Sequence, residues 1–202
     1  MAKRSQRGFN VIELMIVVGI AAVIATFVVP NMRTFIRNNR LAGGSNDLLH
    51  GITLARTEAI KRQPLPGTSP LVAICSTGTS TGTSCNNGSF SYWFVFADTN
   101  GNGLRDGAEP ILSRGGADAS VTTKSIPAGS GILCFNQTGF AALTCGGLAP
   151  TTSVVLCDAR GDVAVGVNST ARALIITATG RARVTRLRSE VTPAVTAVGG
   201  CP

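Results

Sequence analysis

The sequence predicts an α+β chain in which a long N-terminal membrane-spanning helix continues onto an antiparallel β-sheet domain. Three observations predict it. The run from Phe9 to Val29 is apolar apart from Glu13. Leu48, Ile52, Ala55 and Ala59 then recur at helical spacing. Beyond them come short runs of β-branched and aromatic residues, separated by turn residues, with no helix long enough to cross between parallel strands. The boundaries that follow are a leader over 1–8, a transmembrane helix over 9–30, its amphipathic continuation over 31–63 and a β-rich domain over 64–202.

The first element is the most constrained. Phe9 to Val29 is 21 residues, and at about 1.5 Å per residue that crosses the roughly 30 Å hydrocarbon core. Lys3, Arg4 and Arg7 ahead of it favour a cytoplasmic start, with the bulk of the chain outside the inner face. An ordinary secretory signal ends in small residues after its apolar core. Here Ala21-Ala22 leads into further apolar residues and a continuing helix. A simple anchor explains the apolarity but not Glu13, because a carboxylate inside a membrane is costly and usually partnered. Cleavage after Gly8 would give Phe9 a new α-amine and make Glu13 the fifth residue. That amine on a neighbouring subunit would neutralise Glu13 as helices pack.

The string Gly8-Phe9-Asn10-Val11-Ile12-Glu13, followed by the apolar helix, resembles the class III signal of type IV pilins and type II secretion pseudopilins. The resemblance implies cleavage between Gly8 and Phe9 by prepilin peptidase, N-methylation of Phe9, and a role for Glu13 in filament assembly. It also implies other pilins or pseudopilins as partners and a single pass through the inner membrane, with a periplasmic or extracellular globular domain. Asn10-Val11 stands where that family usually has Thr-Leu.

Pro30 is expected to kink the helix without ending it. Arg33, Arg37 and Arg40 follow at helical spacing, and Gly43-Gly44 weakens the helix locally. The stripe from Leu48 to Ala59, widened by Leu49 and Ile60, is expected to lie on a sheet. Asp47, His50, Thr57, Glu58 and Lys61 form the polar face, and His50 is given no role. Arg56 falls between Ile52 and Ile60, so it must snorkel outward or find a partner. The string Ala55-Arg56-Thr57-Glu58-Ala59-Ile60-Lys61-Arg62 resembles the helix end of the GspH/FimT group of minor pilins and pseudopilins.

Pro64, Pro66 and Pro70 are expected to close the helix. Strands are then expected near 71–75, 90–97, 110–113, 120–125, 131–135, 154–157, 162–167, 172–177 and 181–186. The tail from Val191 to Pro202 is expected to lie along the sheet, pinned by Cys201. Six cysteines fall after the anchor, and an even count in an exported domain argues for disulfides. Fifteen connectivities are open to them. Proximity favours Cys75–Cys85 and Cys134–Cys145, leaving Cys157–Cys201. No C-x-x-C pair is present to favour zinc.

Two stretches invite chemistry. Asp98, Asn100, Asn102, Asp106 and Glu109 stand at the ligand positions of a twelve-residue calcium loop. The flanks are a strand and Pro110 rather than helices, and Arg105 adds a positive charge. An Asn/Gly-rich hairpin loop is therefore preferred, and no cofactor is expected. The second stretch is Gly180-Arg181-Ala182-Arg183, with Arg186 and Arg188 beyond it and Arg172 before it. On a strand Arg181 and Arg183 share a face about 6.6 Å apart, within reach of neighbouring phosphates. Arg186 and Arg188 have the opposite parity, so the strand is expected to end or bulge near Thr185. Gly180-Arg181-Ala182-Arg183 matches the G-R-x-R motif of FimT-type minor pilins, which implies double-stranded DNA as a partner. The charge agrees, since the leader holds three of 18 Lys+Arg and its removal leaves 15 against 10 Asp+Glu. No histidine–nucleophile arrangement or phosphate-cradling glycine loop points to an enzyme. The readings are a type IV minor pilin, a type II secretion pseudopilin of the H type, or an anchored binding domain.

Overall fold

The computed structural model describes residues 10–62, 71–86, 88–127, 130–145 and 150–201. The cleavage site at Gly8–Phe9 and the closing stretch with Pro64, Pro66 and Pro70 lie outside these. The chain divides into two units, residues 1–38 and 39–202.

Helix α1 runs Val11–Lys61, with Glu13 in its first turn. In the first unit its apolar side chains, from Val11 to Ile36, are exposed. Its most apolar window has a mean hydropathy of 2.7 and no residue buried, so by length and composition it is fit to cross a membrane. Pro30 sits within the helix, as a helix-continuing proline should. Pro30 cannot donate to the carbonyl one turn back. Around that gap, Asn31 Nδ2 donates to the Phe27 carbonyl at 3.1 Å and Thr34 Oγ1 to the Pro30 carbonyl at 3.3 Å.

In the second unit two antiparallel sheets share α1 as their common cover. The first has the order β3-β2-β1-β5, built from β1 (Leu71–Thr77), β2 (Tyr92–Asp98), β3 (Ile111–Gly116) and β5 (Ile132–Phe135). The second has the order β4-β6-β8-β7, with β9 also pairing β8. Its strands are β4 (Thr122–Ile126), β6 (Ser153–Cys157), β7 (Ala164–Val165), β8 (Asn168–Ile176) and β9 (Ala182–Leu187). Every strand region expected from turn residues is therefore occupied by a strand.

Leu41, Leu48, Ile52, Ala55 and Ala59 on α1 pack with Ile74, Val95 and Leu133 of the first sheet and Val154, Leu156 and Leu174 of the second. Small residues let the helix come close. The Trp93 ring is held between α1 and β3, where a methyl group on Gly51 would lie 2.5 Å from Trp93 Cη2 and one on Gly115 would overlap the same ring. Asp47, expected on the solvent face, instead accepts the Gly116 N–H at 2.9 Å and ties α1 to the end of β3.

The outer faces of both sheets are covered too, which is why β1 and β6 are buried nearly throughout rather than alternating. On the first sheet Ala73, Phe94, Phe96 and Ile132 lie beneath the Cys75–Cys85 and Cys134–Cys145 bridges. Arg114 stands over the Phe94 ring, 5.8 Å from its centre, and also donates to the Gly82 carbonyl. On the second sheet the cover is a helix, α2 (Arg188–Ala197). The tail thus lies along the sheet as expected, and it does so as a helix. Its Val191 and Val195 pack on Val155, Ala171 and Ala173, and Cys201 is joined to Cys157.

Candidate functional site

The arginine stretch is built on a turn. β8 ends at Ile176 and the chain reverses to β9, with the Gly180 N–H donating to the Thr177 carbonyl at 2.8 Å and the Thr177 N–H to the Arg181 carbonyl at 2.9 Å. Gly180 has φ +74°, and a side chain there would collide with the Gly139 carbonyl oxygen. Glycine is required on both counts. That same oxygen accepts a hydrogen bond from Arg56 Nε at 2.9 Å. The helix-end string and the arginine turn therefore meet at Gly139, and Arg56 has the partner its position on the stripe demanded.

Arg181 is exposed, and Arg183 keeps 54% of its side chain in solvent. With Thr177, Thr179 and Ala182 they line a recess of about 410 Å³. Arg183 is already engaged: its two terminal nitrogens bind the two Glu190 oxygens at 3.0 and 2.5 Å. The hydrogen bonds from Arg183, helped by the Thr185 hydroxyl, hold the Glu190 carboxyl down at about 2. The same contact raises the Arg183 guanidinium above its ordinary value.

The other arginines do not join this row. The irregularity expected near Thr185 is there: regular pairing with β8 stops at Ala173–Thr185 and resumes only at Asn168–Leu187, with the extra residues in β8, while β9 itself runs on to Leu187. Thr185 shares the Arg183 face, where α2 buries it. Arg186, half-buried, lies on the opposite face with Ala182 and Val184. It is close enough to Arg172 that burial first, and the Arg186 charge second, pull the Arg172 guanidinium below its usual range. Arg188 is the exposed first residue of α2.

The Asp98–Glu109 loop joins β2 to β3 as a hairpin connection. Its carboxylates face the loop's own donors. Asp98, fully buried, accepts the N–H groups of Gly101 at 2.7 Å and Gly103 at 2.8 Å. Glu109 accepts those of Thr99 at 2.6 Å and Asp106 at 3.0 Å, and Asp106 takes the side-chain amides of Asn100 and Asn102. Arg105 Nε donates to the Glu109 carbonyl at 3.1 Å. Burial is the main influence on Asp98 and raises its pKa. Among the described residues, no group of three or more His, Cys, Asp or Glu is placed to share a metal ion.

Sequence reasoning missed Glu190 and Gly139. Glu190 carried a signal, being the first acid after the arginines, but its contact with Arg183 depends on α2. Gly139 carried none.

A model of the family described as type II transport protein GspH matches residues 44–180, from the buried part of α1 through Gly180. No curated protein and no solved structure matches the chain.

Proposed function

Because the chain belongs to the GspH family, we propose that it is a minor pilin-type subunit of a type IV pilus-like filament. In this reading prepilin peptidase cuts between Gly8 and Phe9 and methylates Phe9. The apolar helix holds the subunit in the inner membrane and then packs into the filament, with Glu13 meeting the Phe9 amine of a neighbour and the two-sheet unit displayed outside. The observation that carries it is the exposed apolar first part of α1, with one carboxylate in its first turn, ahead of the residues that match the GspH family. The role is structural rather than enzymatic. Co-expression with a prepilin peptidase, followed by intact-mass measurement, should show loss of residues 1–8 and gain of a methyl group. A chain that keeps its leader would overturn the reading. Glu13→Val should still be cut but enter filaments poorly.

The exposed turn at Gly180 supports a second element, binding of duplex DNA by Arg181 and Arg183. Contacts of this kind reach phosphates rather than base edges, so binding should be sequence-independent and fall steeply with salt. Arg181→Gln/Arg183→Gln in the oxidised 39–202 unit should largely abolish it. The family's description favours one competing role, in type II secretion. Deletion of the gene separates the two: loss of pilus-dependent DNA uptake supports the first, and loss of protein secretion the other.

A further inference from the structure

We infer that the tip of the β7–β8 hairpin, with Leu187 and Arg188 beside it, is a membrane-contacting face that rests on an anionic bilayer while the subunit is anchored. The inference rests on the reading of α1 as a membrane anchor. Four apolar side chains here are turned out to solvent: Val163 (52% exposed), Val165 (55%), Val167 (75%) and Leu187 (47%). They adjoin one another. Val165 pairs with Asn168, Asn168 pairs with Leu187, and the Arg188 N–H donates to the Val167 carbonyl at 3.0 Å. Isolated exposed apolar residues are ordinary, but an adjoining set on a hairpin tip marks a contact surface.

Its flanks choose the occupant. Arg188 borders the tip and is exposed, and Arg186 stands one residue before Leu187 on the other face of β9; among the described residues neither has an acidic partner. Arg188 also sits in the first turn of α2, where the helix dipole disfavours a cation. Of the nearby acids, Asp158 is paired with Arg160 and Glu190 with Arg183, while Asp162 keeps its charge and is turned to the Ser169 and Thr192 hydroxyls. Apolar side chains flanked by unneutralised arginines match the boundary between acyl chains and anionic headgroups.

Position agrees. At one end of the second unit the β8–β9 turn lies on Gly139, against Arg56 and Ile60 of α1. Following β8 backwards leads to Arg172, paired with Leu156, which packs at Gly44. The strand then continues to Asn168, about 13 Å at 3.3 Å per residue, while α1 rises only about 8 Å from Gly44 back to Asn39. The hairpin tip is therefore at the end of the unit where α1 enters. In sequence, residues 30–38 join that end to the apolar run.

The test is fluorescence of the full chain reconstituted in bilayers. Val167→Trp and Leu143→Trp each add one indole to the buried Trp93; Leu143 is 87% exposed and lies beside Ile176, at the opposite end of β8. Brominated phosphatidylglycerol should quench Val167→Trp about twofold, as for an indole held about 5–10 Å into the headgroup boundary. It should leave Leu143→Trp and the wild-type chain nearly unchanged. Brominated phosphatidylcholine, or Arg186→Gln/Arg188→Gln in the Val167→Trp chain, should give much less quenching. A chain that floats with the vesicles but is unquenched at position 167 overturns the lipid face and points to a neighbouring subunit as its cover. Equal quenching by both lipids overturns the role of the arginines. A chain that fails to float overturns the anchor itself, and this face with it.

Discussion

Arg56 and Gly180 meet at one oxygen: the Gly139 carbonyl accepts the Arg56 Nε–H at 2.9 Å, and the α-carbon of Gly180 packs against it so closely that no side chain fits. The contact links α1 to the arginine turn through a residue 83 positions from Arg56. Removing either partner should loosen the turn. Arg56→Ala leaves a half-buried carbonyl without its donor, at a cost of about 1–3 kcal/mol. Gly180→Ala adds a left-handed backbone penalty of about 1–2 kcal/mol to the collision. Because both act on Gly139, the double variant should lose less than the sum in urea unfolding of the oxidised 39–202 unit.

How much of this could be read in advance depended on range. The strands were legible because Gly, Pro, Asn and Ser mark their ends locally. The split into two sheets was not, since β1 and β6 lack the alternation that would show which face meets which partner. α2 was legible in principle, for Val191, Ala194, Val195 and Val198 follow helical spacing. Pro193 and Gly199-Gly200 obscured it, since an interior proline lacks the N–H that the carbonyl one turn back would accept and crowds that carbonyl. At the site, Gly180 and the parity of Arg181 and Arg183 could be read from sequence. The Glu190 contact needed the missed helix, and the Gly139 contact needed tertiary structure.

Gly51 tests the close approach of α1. In a helix Ala is favoured over Gly by about 0.8–1 kcal/mol. Against this, the new methyl group would stand 2.5 Å from Trp93 Cη2. Overpacking of this kind costs typically about 1–3 kcal/mol, so Gly51→Ala should destabilise despite the helical gain. Trp93 emission should report it directly through a shift towards that of a wetter indole. Ala at Gly43, where nothing lies near the added methyl, should stabilise slightly or have no effect.

The Cys157–Cys201 bridge closes the longest of the three disulfide loops, with a sequence separation of 44. Chain-entropy arguments put such a loop at about 4 kcal/mol, as an upper figure. Cys157→Ser/Cys201→Ser should lose up to that amount. The loss should begin at α2, since Val191 and Val195 would then hold it to β6 and β8 without the covalent tie. Hydrogen exchange should rise first over 188–201, ahead of the first sheet.

Glu190 gives the arginine site a pH dependence. Its carboxyl titrates near 2 in the folded chain because Arg183 and Thr185 bind the charged form, against about 4.3 for an unperturbed Glu. A depressed acid favours folding above its unfolded value, and that contribution fades as pH falls from about 4.3 towards 2. Carboxyl-carbon NMR should therefore place the midpoint near 2. Arg183→Gln should return it towards the ordinary range.

The same ion pair sets an order among the arginines in the DNA binding proposed for this turn. Arg181 is exposed, whereas Arg183 must leave Glu190 before it can meet a phosphate. Arg181→Gln should thus weaken binding more than Arg183→Gln does. Glu190→Gln should strengthen it, because the guanidinium is released without losing its place on β9. Each phosphate that the protein neutralises steepens the slope of log K against log salt by about 0.9. The expected pattern is a steeper slope for Glu190→Gln and a shallower one for Arg181→Gln. Identical slopes in all three variants would mean that diffuse charge, and not the turn, holds the DNA.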